Sequence, residues 1–155
     1  MCLHNVSISL DILTAAVTGA GIFFAYKGLR SQLDFQNRQL KVEIFSDYST
    51  RYQNIIADFP EGINEQSFVL KQLDKDIYSK TMRKMRQYFD LCFEEWYLNS
   101  KGFLEPSFWE LWSGGMTTAL SKPAFVDAWK IVKDSSVFGA DFETFIQSKI
   151  KSVNI

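Results

Sequence analysis

The sequence is poor in the side chains that familiar catalysis uses. It has one histidine, His4, and two cysteines, Cys2 and Cys92. A lone imidazole near the N-terminus leaves most histidine-based chemistry without its parts. Two cysteines build neither a disulfide framework nor, alone, a four-ligand zinc site. The pair Cys2 and His4 has a C-x-H spacing, but two ligands on a terminus make a weak site for a soft metal. No P-loop, Gly-rich dinucleotide turn, Gly-x-Ser-x-Gly or His-Glu-x-x-His is present. Nothing in the sequence asks for a cofactor, and nothing specifies a reaction. An excess of one charge is missing too: 17 Lys+Arg stand against 18 Asp+Glu. Nucleic-acid binders need a basic excess or a clustered basic face, so nucleic acid is not an expected partner. Prolines number only three. There is no alternating strand pattern of useful length and no Asn-Gly or Asp-Gly hairpin turn. The chain shows no repeat or low-complexity tract.

Apolar and aromatic material is abundant, at 46% and 15% of the 155 residues. That is ample to offset the entropy of ordering, and the length suits one domain. The apolar residues are not spread evenly. The run from Ile12 to Tyr26 carries no charge. Extended to residues 8–29 it is about 22 residues, or roughly 33 Å of helix, against a hydrocarbon core of about 30 Å. Asp11 and Lys27 flank it and can snorkel to the interfaces, with Tyr26 at interfacial depth. We read 8–29 as a single transmembrane helix. A helix buried in protein is the other reading. A cleaved signal peptide fits less well, because the positive n-region is absent and Asp11 interrupts the start.

Flanking charge sets the orientation. No Lys or Arg precedes the run, whereas Lys27, Arg30, Arg38 and Lys41 follow it. The positive-inside rule puts the N-terminus outside and the remainder in the cytoplasm. Within the run, Thr14, Thr18, Gly21, Ala25 and Gly28 recur at steps of four and three. Such a small-residue stripe lets two helices approach, and a homo-oligomer is expected from it. Small residues are also simply common in membrane helices.

After Gly28 the pattern stays helical and turns amphipathic, through Leu29, Leu33, Leu40 and Ile44, then Phe45, Tyr48, Tyr52, Ile55 and Phe59. Phe59-Pro60 is a natural stop. Residues 30–59 therefore read as a stalk or first bundle helix, and 60–155 as a helical bundle domain. Glu61 to Asn64 reads as a loop, and Ser67 to Leu73 as a short helix or irregular chain. A helix from about Asp76 to Asn99 has the stripe Ile77, Met82, Met85, Phe89, Cys92 and Trp96, in which Cys92 serves as a small hydrophobe. Gly102 suits a left-handed cap position. The next helix starts near Pro106 and presents Phe108, Trp109, Trp112, Met116 and Leu120, with Gly114-Gly115 able to bend or end it. Ser121 reads as the cap region of a helix that starts at Pro123 and carries Phe125, Ala128, Trp129 and Val132. Asp134 to Ser136 breaks that helix. Asp141 can cap the last one, which holds Phe142, Phe145, Ile146 and Ile150. The fold class is all-α: a membrane helix and stalk leading into a compact cytoplasmic bundle.

The strings RYQNIIADFP, YFDLCFEEWYLNSKGFLEPSFWELWSGGM and KPAFVDAWK resemble a group of small uncharacterised bacterial proteins with an N-terminal span and a helical cytoplasmic domain. The resemblance covers most of the chain after about residue 40, most specifically from Tyr88 to Trp112. It implies architecture and a bacterial or phage origin, not mechanism; together with the span and its orientation, the expected location is a bacterial inner membrane. It transfers no catalytic residue.

The densest polar cluster is Asp90, Glu94 and Glu95. Asp90 and Glu94 share a helix face at i,i+4. Paired carboxylates can do acid–base work or hold a divalent cation, but both need more ligands than one helix gives. The simpler expectation is a structural ion pair between Arg51 and Glu94 or Glu95, since a buried charge must be paired. The four tryptophans, Trp96, Trp109, Trp112 and Trp129, read as core, with a ligand groove as the alternative. Three functions fit. The first is a non-enzymatic membrane-anchored interaction module, whose partners are the lipid bilayer and a protein or a second copy. The second is a small effector that oligomerises and perturbs the bilayer. The third is a carboxylate-dependent enzyme or metal-binding protein.

Overall fold

The computed structural model describes the backbone of residues 2–153 and the side chains of residues 17–152. The described residues are helical, without strands. The order is α1 (Cys2–Ile56), a 3-10 turn (Leu70–Gln72), α2 (Lys75–Ser100), α3 (Pro106–Leu120), α4 (Pro123–Ser135) and α5 (Ala140–Val153). The chain divides into two units, Met1–Ile44 and Phe45–Ile155. The compact unit thus takes in the last turns of α1.

Local sequence signals start and stop these helices. Pro106 and Pro123 each occupy the first helical position, where the missing N–H is no loss. Gly102, at φ +72°, ends α2. The Gly102 N–H donates to the Asn99 carbonyl at 3.0 Å, and the Phe103 N–H to the Leu98 carbonyl at 3.0 Å. That pairing satisfies the last carbonyls of α2 and needs the left-handed residue between them.

Within the compact unit α2 is the central element and packs against α3 and α4, while α3 packs on α5. Its buried stripe takes in Met82, Met85, Phe89 and Cys92, continued by half-buried Trp96. Phe125, Ala128, Trp129 and Val132 of α4 are all buried, α4 packing on α2, and Phe142, Ile146 and Ile150 of α5 are buried as well, α5 packing on α3. Phe142 is fully buried and sits in a ring cluster. Its ring centroid lies 5.3 Å from that of Phe93, 5.4 Å from Phe138, 5.5 Å from Trp96 and 5.9 Å from Trp129.

Several local expectations need correction. Ile77 is 44% exposed and stands off the α2 stripe. The buried positions step 82, 85, 89, 92, half-buried Tyr78 extends the row backward by four, and Ile77 is turned about 100° from it. Ser121 does not cap α4. Its hydroxyl donates back to the Thr118 carbonyl at 2.7 Å, at the end of α3, and Lys122 is the cap residue. Asp141 is inside the first turn of α5, where a negative charge suits the helix dipole, and is not its cap. Gly114-Gly115 does not end α3, which runs on to Leu120 with Trp109 before the pair and Met116 and Leu120 after it in the core.

In the first unit the described part of residues 8–29 begins at Val17, and all of it is exposed. Among the described residues, no helix is long and apolar enough to cross a membrane. Thr14, Cys2 and His4 lie outside the residues whose side chains are described. Thr18, Gly21, Ala25 and Gly28 are exposed, and a Cβ built on Gly21 or Gly28 would meet nothing within 4 Å.

Candidate functional site

Two neighbouring glutamates on α2 meet different surroundings. Glu94 faces the last turns of α1. Arg51 grips it with both guanidinium nitrogens, Nη1 to Oε2 at 2.6 Å and Nη2 to Oε1 at 2.9 Å. The Tyr48 hydroxyl adds a longer bond to Oε2 at 3.3 Å. A two-pronged pair of this kind is the strongest form of carboxylate recognition. The Arg51 hydrogen bond holds the Glu94 carboxyl below the usual glutamate value, and the same bond raises Arg51. The Arg51 guanidinium also lies 5.0 Å from the Tyr48 ring centre, in cation–π range.

Glu95 is not in that pair, contrary to the expectation that a buried carboxylate here would find Arg51. It is 6% exposed, and among the described residues it makes no hydrogen bond or ion pair. Burial pushes its carboxyl up to about 8, outweighing the attraction of Arg51 and helped by repulsion from Glu94. Glu95 is therefore a neutral acid at pH 7. The third carboxylate, Asp90, is exposed, and partial burial followed by the charge of Glu94 raises it. The three acids do not converge. Among the described residues, no group of three or more His, Cys, Asp or Glu stands close enough to hold a metal ion.

Glu95 opens on a cavity of about 260 Å³ between the end of α1, α2 and α3. Tyr48 and Tyr52 come from α1, Tyr88 and Cys92 from α2, and Trp112 and Gly115 from α3. The Tyr48 and Trp112 rings stack at 5.1 Å, and Phe45 extends the stack at 6.2 Å. Gly115 leaves its wall low, since a Cβ there would meet nothing within 4 Å. Tyr88 and Cys92 are buried, and burial raises both well above their ordinary values. The Cys92 thiol is thus not the thiolate that nucleophilic chemistry needs. A neutral acid can serve as a general acid.

The tryptophans fall into two groups. Trp129 is core, at 2% exposure, and half-buried Trp96 and Trp109 pack against the core through Phe142 and Phe145. Trp112 lines the cavity. Sequence reasoning placed Tyr48 and Tyr52 on one helical face but not around a cavity. A signal for Glu95 was present: it follows buried Tyr88 by seven residues and buried Cys92 by three, which places it on the buried stripe. Glu94 is one step off that stripe.

Compared with known proteins, the chain matches no family model, no curated protein and no solved structure. The resemblance to small bacterial proteins gains no support from them.

Proposed function

We propose that this chain is a membrane-anchored helical interaction module without catalytic activity of its own. Residues 8–29 are the anchor, and the helical domain is presented to a protein partner or to a second copy on the cytoplasmic face of a bacterial inner membrane. The observation that carries this reading is the uncovered apolar surface of the first unit. Ile22 is 67% exposed, Phe23 55%, Phe24 69% and Leu29 59%. These four residues do not share one face of the helix, since Ile22, Phe23 and Phe24 are consecutive and step about 100° each. A helix that is apolar all round is covered by lipid or by protein. The described residues 17–29 supply only part of the length a span needs, and the apolar run continues through residues 8–16 in the sequence. Homotypic contact through Gly21, Ala25 and Gly28 is part of the proposal, because that face is open.

The test is fractionation of the full chain carrying a topology reporter at each end. The expected result is a chain that stays with membranes through a high-salt wash, with the C-terminal reporter cytoplasmic. Paired Val17→Lys and Ala20→Lys substitutions should release it, since each charge at the centre of a span costs about 3 kcal/mol. A full chain that purifies as a monomer without detergent overturns the reading.

A further inference from the structure

The Glu95 cavity is a feature that an anchor-and-scaffold role leaves unused. A buried carboxyl with no partner costs stability, and folds ordinarily satisfy or replace such a group. Here the residue is 6% exposed, makes no hydrogen bond or ion pair among the described residues, and lines the cavity. That space exceeds the roughly 150 Å³ that holds a benzene molecule and falls below the range typical of drug-sized ligands. Five aromatic residues, Phe45, Tyr48, Tyr52, Tyr88 and Trp112, are among those that line it, and aromatic rings can attract cations. The adjoining cluster already demonstrates the affinity, with Arg51 stacked on Tyr48. Arg51 itself is committed to Glu94 by two hydrogen bonds, so its charge is neutralised locally. A larger depression nearby, of about 600 Å³ and bounded by Ile56, Phe59 and Phe125, is lined by no buried ionisable group apart from the shared Tyr88.

The geometry points to this cavity as a binding site for a small lipophilic ammonium ion, its charge on the Glu95 carboxylate and its body among the rings of Tyr52, Tyr88 and Trp112. Proton balance follows from the state of the acid. The empty site holds Glu95 protonated at neutral pH, so each cation that binds sends one proton to solvent. The other groups around the site keep their charge between pH 6 and 8. On α1, Tyr48 and Tyr52 are raised and stay neutral, and Arg51 stays positive. On α2, Tyr88 and Cys92 are raised and Glu94 is held ionised. The α3 wall is Leu111, Trp112, Gly115 and Met116, which carry no charge.

The experiment is calorimetric titration of the full chain, kept in solution with or without detergent as it requires, with 2-phenylethylamine, and separately with the neutral isostere 2-phenylethanol. Two buffers of different ionisation heat count protons. The amine should bind with about one proton released at pH 7. Its affinity should rise about tenfold per pH unit from pH 6 and level off near the Glu95 value of about 8. The alcohol should bind more weakly at pH 8 and without pH dependence. Glu95→Gln should cost the amine at least about tenfold, on the order of 1.4 kcal/mol, and leave the alcohol unchanged. Gly115→Leu, which fills the low wall, should block both ligands. The inference is overturned if neither probe binds, if the alcohol equals the amine at pH 8, if amine affinity is flat with pH, or if Glu95→Gln leaves it intact. It stands independently of the membrane reading, because every residue of the cavity lies in the compact unit.

Discussion

From Val17 to Val42 the large apolar side chains of α1 stand open, with Leu33 52%, Phe35 60% and Leu40 54% exposed. From Phe45 to Ile56 the same helix finds partners at nearly every inward position. Phe45 lies 4.9 Å from Phe108 and Tyr48 5.1 Å from Trp112, Arg51 holds Glu94, and Ile55 is buried. Helical periodicity alone does not separate these stretches. What separates them is whether a second element exists to receive the side chains. The described side chains of the first stretch stay exposed, and those of the second pack inside the compact unit.

That contrast can be broken most sharply by paired truncations. Phe142→Ala removes a fully buried ring from a cluster of five others. It should cost the compact unit about 3–5 kcal/mol, the usual range for a buried phenylalanine. Phe24→Ala should leave chemical denaturation of the same unit unchanged, because its ring is 69% exposed and belongs to the first unit. A comparable loss from both variants in near-ultraviolet circular dichroism would mean that the two stretches share one core.

The legible part of this fold was the part governed by local chemistry. Pro106, Pro123 and Gly102 act through the backbone of their own turns, so their roles can be read without knowing any neighbour. The stripes of α2 and α4 are equally local, since a helix buries whichever face carries the apolar residues. The illegible part depended on distance and on the register between helices. Glu94 and Glu95 are adjacent and differ by about 100° of rotation. Which one meets Arg51 depends on where α1 crosses α2, and that is set by Tyr48 against Trp112 of a third helix. The cavity is hidden for the same reason, as it exists only where three elements fail to close. Ser121 shows the smaller form of the problem, with two helix ends competing for one hydroxyl.

The second comparison lies within the site, between the two glutamates, and their pH responses run in opposite directions. Glu95 has a folded value raised to about 8 from 4.5. The unfolded chain ionises that group above about 4.5 while the folded chain resists until about 8, so its burial costs increasing stability across that window. Glu95→Gln should therefore raise stability at pH 7–8, on the order of 2–4 kcal/mol at about 1.4 kcal/mol per pH unit. The gain should shrink toward pH 4.5. Urea titrations at several pH values read this directly. A Gln variant less stable than the parent at pH 8 would mean that Glu95 is ionised and paired.

Glu94 has the reverse sign and the smallest effect. Its folded value is lowered, so the stability it gives is present above the ordinary glutamate value and is lost as pH falls through the lowered one. Both side chains of the pair are partly open, at 39% and 42%, and solvent screening limits what the pair contributes. A double-mutant cycle of Arg51→Ala with Glu94→Ala at pH 7 should give a coupling of about 0.5–1 kcal/mol. The matching cycle of Arg51→Ala with Glu95→Gln should be additive, because a protonated acid offers Arg51 no charge. If the larger coupling appears in the Glu95 cycle instead, the guanidinium faces the cavity, and the division of labour between the two glutamates is reversed.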